Sequence, residues 1–295
     1  MRALVPFLPL FLLYALSVQG GEGPPVAAPV RPFPVTLSTF EPAQGEPVLV
    51  EVSPLPRADS VVMIWKGKEV PMKKDGPGRF LGLFGVDLLE KPGKAVLSFR
   101  AAGDGEAFRF DAEIVIREKD FPVQEITLPK EMTQFDKETL GRINREARRL
   151  AKRFSRVSSP PAWSFPFLPP VADFRPKGFG SRRVINGEPR SPHAGVDVSL
   201  PAGTPVVAIA GGVVAFAGEQ FFGGNSVVLD HGGSVFSIYY HLREYAVSEG
   251  QNVIRGERIG AVGASGRATG PHLHFSVRAA GGRIDPSLLF SLPSR

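Results

Sequence analysis

Five histidines serve the whole 295-residue chain, and two of them stand one residue apart in GRATGPHLHFSV, residues 266–277. Leu273, Phe275 and Val277 fall on one parity of that stretch, and His272, His274 and Ser276 on the other. A β-strand points successive side chains to opposite faces, so one parity packs on a core while both imidazoles share the other face, about 7 Å apart. A second cluster, SPHAGVDVSL at 191–200, sets His193 and Asp197 four residues apart. Gly195 and the valines at 196 and 198 argue against a helix there, and on a straight strand the two side chains would stand about 13 Å apart. Sharing a metal therefore requires a bend, and Ala194–Gly195 is where bending costs least. Once bent, His193, Asp197 and one histidine of the 272–274 pair offer three nitrogen and oxygen ligands. The fourth position stays open for water, as in a catalytic rather than a structural zinc site.

His241 ends the run VFSIYYHL, whose parity groups it with Tyr239 and Ser237 against Phe236, Ile238 and Leu242. A histidine beside a metal can take a proton from water or steady a tetrahedral oxyanion. The chain has no HExxH, so the glutamate base of helical zinc proteases is missing and a histidine must fill that role. His231, in the turn DHGG beside Asp230, reads as a structural histidine. Two histidines and a carboxylate also make the facial triad of an Fe(II) oxygenase. The two extra site histidines and the export signal below disfavour that alternative.

The elements that must hold these residues are mainly strands. β-like runs at 47–53, 60–67, 79–86, 94–101 and 108–118 alternate with the turn segments KKDGPG, EKPGK and AAGDGE. They predict an Ig-like β-sandwich over residues 35–120 that carries no histidine and acts as a scaffold. A linker over 121–161 holds one helix within 133–157, with Leu140, Ile143, Ala147, Leu150, Ala151 and Phe154 as its apolar stripe. Thr133 or Asp136 can cap its start, and Pro160–Pro161 ends it. Its seven basic residues read as a solvated face. Residues 162–295 return to strand and turn and contain all five histidines.

Composition limits the setting. Hydrophobic content of 43% and charged content of 22% exclude a disordered chain and a polytopic membrane protein. MRALVPFLPLFLLYALSVQG reads as a signal peptide over 1–20, followed by a proline-rich leader over 21–34. No second apolar stretch reaches spanning length, so no stable membrane insertion is expected after cleavage. With no cysteine there is neither a disulfide nor an N-terminal lipid anchor, and any metal site must use His, Asp or Glu. A net charge of +6 suits an anionic polymer such as a cell wall, and export argues against nucleic acid. The expected location is the periplasm or cell envelope.

HAGVD, YYHL and GPHLHF resemble the three signature segments of the lysostaphin-like (LytM-type) zinc endopeptidases, which cleave peptide cross-links of bacterial peptidoglycan. The surrounding runs GTPVVAIAGGVVAFAG, GGNSVVLDHG, VSEGQNVIRGERIGAVGASGRATG and RIDPSLL are similar to that family's core strands and turns. The resemblance implies a β-rich peptidase domain of antiparallel sheets over 162–295. It implies one Zn2+ per chain on His193, Asp197 and His274, with His272 and His241 as base or oxyanion stabiliser. It also implies substrate contact by Arg182 or Arg183, with peptidoglycan, and beside it other cell-wall enzymes, as partners. Some relatives have lost ligands and only activate other wall hydrolases. The complete ligand set here favours the peptidase over such a non-catalytic activator.

Overall fold

Alternation shapes the first half of the chain. In EAFRFDAEIVI, Phe110, Ala112, Ile114 and Ile116 are buried while Arg109, Asp111, Glu113 and Val115 are exposed. The computed structural model describes residues 35–157 and 161–293, so the expected signal peptide and proline-rich leader lie outside the described residues. Eight strands come first: β1 (Val35–Leu37), β2 (Pro47–Val52), β3 (Ser60–Trp65), β4 (Lys68–Pro71), β5 (Lys73–Lys74), β6 (Phe80–Gly85), β7 (Gly93–Gly103) and β8 (Glu106–Ile116). They form two antiparallel sheets, β1-β2-β6-β5 and β4-β3-β7-β8, around a shared core that includes Val50, Met63, Trp65, Phe84 and Phe99. All five runs expected from sequence in this half are strands.

The segment expected as linker is built into the second half. Strand β9 (Val123–Ile126) lies parallel to β10 (Arg182–Ile185), which pairs with β11 (Glu188–Pro189). Helix α1 (Lys137–Ser155) begins at Asp136, whose carboxylate accepts the Thr139 N–H at 2.7 Å, so Asp136 rather than Thr133 is the cap. The helix is docked on the sheet through part of its apolar stripe. Leu150 and Phe154 pack on Phe216, Val228, Phe236 and Ile238. Arg149 and Arg153 both reach Glu249 and lie over the Phe216 ring, and Arg142 pairs with Glu146 and Glu219. Three of the seven basic residues thus help dock the helix on aromatic rings and glutamates of the sheet, while Arg145, Arg148, Lys152 and Arg156 stay exposed as a solvated face requires.

The remaining strands are β12 (Val196–Ser199), β13 (Pro205–Val207), β14 (Gly212–Gln220), β15 (Gly224–Asp230), β16 (Val235–Tyr245), β17 (Asn252–Val253), β18 (Arg258–Val262), β19 (His272–Ala279) and β20 (Gly282–Ile284). A short helix α2 (Pro286–Leu289) follows. They make a nine-stranded antiparallel sheet with the order β12-β19-β16-β15-β14-β17, β18 joining β13 and β16, and β20 beside β19. Leu273, Phe275 and Val277 are fully buried with Val196, Val198 and Tyr239, as the parity of the strand requires. Leu83 and Leu88 of the first half join this second core, and Arg283 on β20 grips Asp87. No helix among the described residues is long and apolar enough to cross a membrane.

Two close fits hold the sheet where the chemistry lies. At Gly195 a β-carbon would stand 2.6 Å from the Phe275 carbonyl oxygen and 2.8 Å from His274 Nε2, so only glycine lets β12 approach β19. His231, fully buried, meets the Gly211 carbonyl through Nδ1 at 2.8 Å and Ser237 Oγ through Nε2 at 2.7 Å. The Ser237 and Tyr239 hydroxyls hydrogen-bond at 3.0 Å, which extends this network into the core.

Gly195→Ala is expected to push β12 from β19 at a cost of about 1–3 kcal/mol, read as a lower urea midpoint. Burial holds the His231 pKa down to about 4 against 6.5 when unfolded, so the folded protein keeps it neutral. Below pH 6.5 the unfolded state takes up a proton that the folded state refuses. Stability from this group is therefore complete above pH 6.5 and declines by about 3 kcal/mol toward pH 4. Urea titrations at pH 7 and pH 5 should show a larger drop in wild type than in His231→Gln.

Candidate metal centre

The register of three strands assembles the site. Asp197 on β12 lies opposite His274 on β19, and Tyr240 on β16 lies opposite His274 from the other side. His193 precedes β12, and the turn through Ala194–Gly195 brings it back over Asp197. His193 Nε2 is 2.9 Å from His274 Nδ1 and 3.2 Å from Asp197 Oδ1, and His274 Nδ1 is 2.8 Å from the same oxygen. His193 Nδ1 donates to the Gly178 carbonyl at 2.9 Å, which leaves the Nε2 lone pair facing its two neighbours. His193, Asp197 and His274 are the His/Asp/Glu group whose donor atoms could hold a metal ion among the described residues. Donors on a tetrahedral ion with bonds of about 2.0–2.1 Å stand about 3.3 Å apart. The triangle of two nitrogens and one oxygen has nearly that size, so the residues fit zinc with a fourth position free.

Electrostatics prepare the same triangle. Burial alone would raise the Asp197 pKa, but the His193 and His274 imidazoles packed against its oxygens outweigh it and hold the carboxyl far below the usual range. Burial lowers the pKa of His274 despite Asp197, which favours a neutral ring. An anionic oxygen and imidazole lone pairs are the forms a cation needs.

Two more rings stand beside these donors. His272 Nδ1 meets the Gly270 carbonyl and His241 Nδ1 the Ser265 carbonyl, each at 2.9 Å. The rings lie 4.6 Å apart, and His272 Nε2 is 3.9 Å from Asp197 Oδ1. Burial is the main cause that pushes the His241 pKa down to about 4. The strand parity expected for His241 needs correcting. Strict alternation would turn it to the core with Tyr239 and Ser237, both of which are buried there. His241 instead has φ +62°, and its N–H donates to the Gly223 carbonyl at 2.7 Å, which breaks the alternation and turns its ring toward His272.

The structure thus gathers all five residues singled out as ligands or catalysts, and leaves His231 in its own buried network. Of the arginine pair, Arg183 reaches the site, with Nη2 3.5 Å from Asp197 Oδ2. Arg182 turns to the Phe121 carbonyl and Asp120. Sequence reasoning missed Tyr240, which stacks on His274 at 5.6 Å and 17°. Its parity with Ile238, on the face opposite Tyr239, was the available signal. It also missed the three carbonyls that fix the tautomers, which nothing in the side-chain pattern announces.

Comparisons with known proteins point the same way. Residues 191–286 match the family model described as peptidase family M23. The chain is 46% identical over 94 residues to the DD-carboxypeptidase/endopeptidase Mpg of Neisseria meningitidis, covering 32% of this chain and 22% of that protein. It is 44% identical over 91 residues to the peptidoglycan DD-endopeptidase ShyA of Vibrio cholerae, covering 31% and 21%. The chain therefore spans about a fifth of the length of these curated relatives. A solved structure titled a putative peptidase M23 from Pseudomonas aeruginosa superposes with a TM-score of 0.65 at 28% identity, covering 85% of this chain and 96% of that one. The sheet that brings His193, Asp197 and His274 together lies within the segment that matches peptidase family M23, and over that segment the fold is that of an M23 peptidase domain.

Proposed function

We propose that the protein is an exported zinc metalloendopeptidase that hydrolyses peptide cross-links of peptidoglycan in the cell envelope. The observation that carries this reading is the triangle of His193 Nε2, Asp197 Oδ1 and His274 Nδ1 beside two further histidines with their Nδ1 atoms engaged. The names of the relatives, a DD-carboxypeptidase/endopeptidase and a peptidoglycan DD-endopeptidase, supply the substrate class.

His193, Asp197 and His274 would hold the ion. Bound there, zinc supplies Lewis-acid polarisation of the scissile carbonyl and acidifies water. The chain's own residues do the rest. With Nδ1 committed to a backbone carbonyl, His272 and His241 each present Nε2 to the space beside Asp197. His241 is neutral at neutral pH and so accepts a proton from the attacking water, then returns it to the leaving amine. His272 holds its own Nε2 3.9 Å from Asp197, so it is the second nitrogen that can take up or return a proton beside the donors. The carbonyl acceptors and the Tyr240 ring fix these orientations before substrate arrives, so little reorganisation remains for the reaction itself.

Incubating the full chain with purified sacculi is the decisive experiment. Release of un-cross-linked stem peptides, stopped by a chelator and restored by zinc, is the expected result by mass spectrometry. Zinc-sufficient protein that binds sacculi but releases nothing would overturn the reading in favour of a wall-binding activator. His193→Ala is expected to lose both the metal and the activity. His272→Ala is expected to keep one zinc per chain and lose about 10²–10⁴-fold in rate, and full turnover by that variant would remove its assigned role.

A further inference from the structure

A cavity of about 550 Å³ opens beside His274 and runs under helix α1 along β19. Ala147 and Ala151, one helical turn apart, leave room in its roof, while Tyr240 and Ser276 line the sheet side. Its far end is cationic: Lys68 from the first sheet pair, Arg278 from β19 and Arg283 from β20 meet there. Two of the three charges have partners. Arg283 donates to Asp87 at 2.8 Å, and Lys68 donates to the Phe154 carbonyl in the last turn of α1 at 2.8 Å. Arg278 has no such anchor. Its guanidinium lies over the Phe154 ring at 4.8 Å, and its hydrogen bond, to the Gly281 carbonyl, is stretched to 3.5 Å. Burial and the neighbouring Arg283 both lower its pKa against the pull of Asp87, the mark of a cation short of compensating charge.

Spacing connects that charge to the reaction centre. Arg278 follows His274 by four residues on the same face of β19, about 13 Å along the strand. An extended peptide covers about 3.3 Å per residue, so four residues bridge the gap.

We propose that this cavity is a subsite for a carboxylate carried by the substrate peptide about four residues from the bond cleaved beside His274, with Arg278 as its contact and Lys68 and Arg283 completing the positive end. The proposal rests on the peptidase reading above and deepens it by naming a substrate chemistry. A side-chain carboxylate and a C-terminal carboxylate share that chemistry. The helix C-terminus does not explain the cluster, because Lys68 already serves it while Arg278 faces a ring instead of a carbonyl.

The test uses synthetic cross-linked stem peptides in four versions, with the side-chain carboxylates and the C-terminal carboxylate each free or amidated. Binding to the full-length His272→Ala protein is read by calorimetry, and cleavage by the wild-type protein is read as kcat and KM. Amidation at one of the two sources is expected to weaken binding and raise KM about tenfold with kcat little changed, and the source that matters is the one whose amidation does so. Arg278→Gln should bind the acid and amide forms equally, and Arg278→Lys should keep most of the preference. The acid–amide comparison on Arg278-intact protein needs no variant of this cluster, so a folding defect in Arg278→Gln cannot obscure it. Equal binding and equal KM for all four peptides, with cleavage intact, overturns the subsite and leaves the peptidase standing. No cleavage, with the acid–amide preference in binding intact, overturns the peptidase reading and keeps the subsite.

Discussion

Everything at the site depends on how closely β12 lies against β19. Four paired positions, Val196 through Ser199 against Phe275 through His272, put Asp197 directly opposite His274. The approach is possible because Gly195 has no side chain to collide with the Phe275 carbonyl. A slip of one residue would turn Asp197 into the core and Val196 or Val198 out of it, so burial of those valines defends the register. The hydrophobic effect thereby positions a carboxylate that contributes no apolar contact of its own.

Bringing two imidazoles and a carboxylate together in a partly buried place carries a desolvation cost. The surrounding backbone offsets it. Carbonyls of Gly178, Ser265 and Gly270 each accept an Nδ1–H, so three rings are satisfied on one side while the other side stays available. The left-handed residue at His241 belongs to the same design: the strain of φ +62° is held by its N–H bond to Gly223 and turns a ring from the core toward the site.

Much of this was legible in the sequence for one reason. Strand parity is a strict rule, and on β19 it separated the packing residues from His272 and His274 correctly. The bend at Ala194–Gly195 followed from distance alone, since four extended residues cannot bring His193 and Asp197 together otherwise. Parity failed at His241 because a single backbone rotation cancels it, and no residue type in YYHL signals that rotation. The role of α1 was hidden for a different reason. Arg142, Arg149 and Arg153 look as solvated as their four exposed neighbours until the partner surface is known, and Phe216, Glu219 and Glu249 lie 60 or more residues further along the chain.

Helix α1 and the first sheet pair also shape the space beside the donors. The helix packs on the face formed by β14, β15 and β16, next to the β19 strand that carries His274, and Lys68 anchors its last turn to the first sheet pair. Asp87 and Arg283 fasten the same two halves at β20. The cavity beside His274 therefore has walls from three sources: the nine-stranded sheet, the helix and the first half of the chain. A first half without histidines has no part in the chemistry, yet Lys68 places one of its charges at the end of that groove. The first half and the sheet that carries the donors form one surface there, because the residues that join them also line the cavity beside His274.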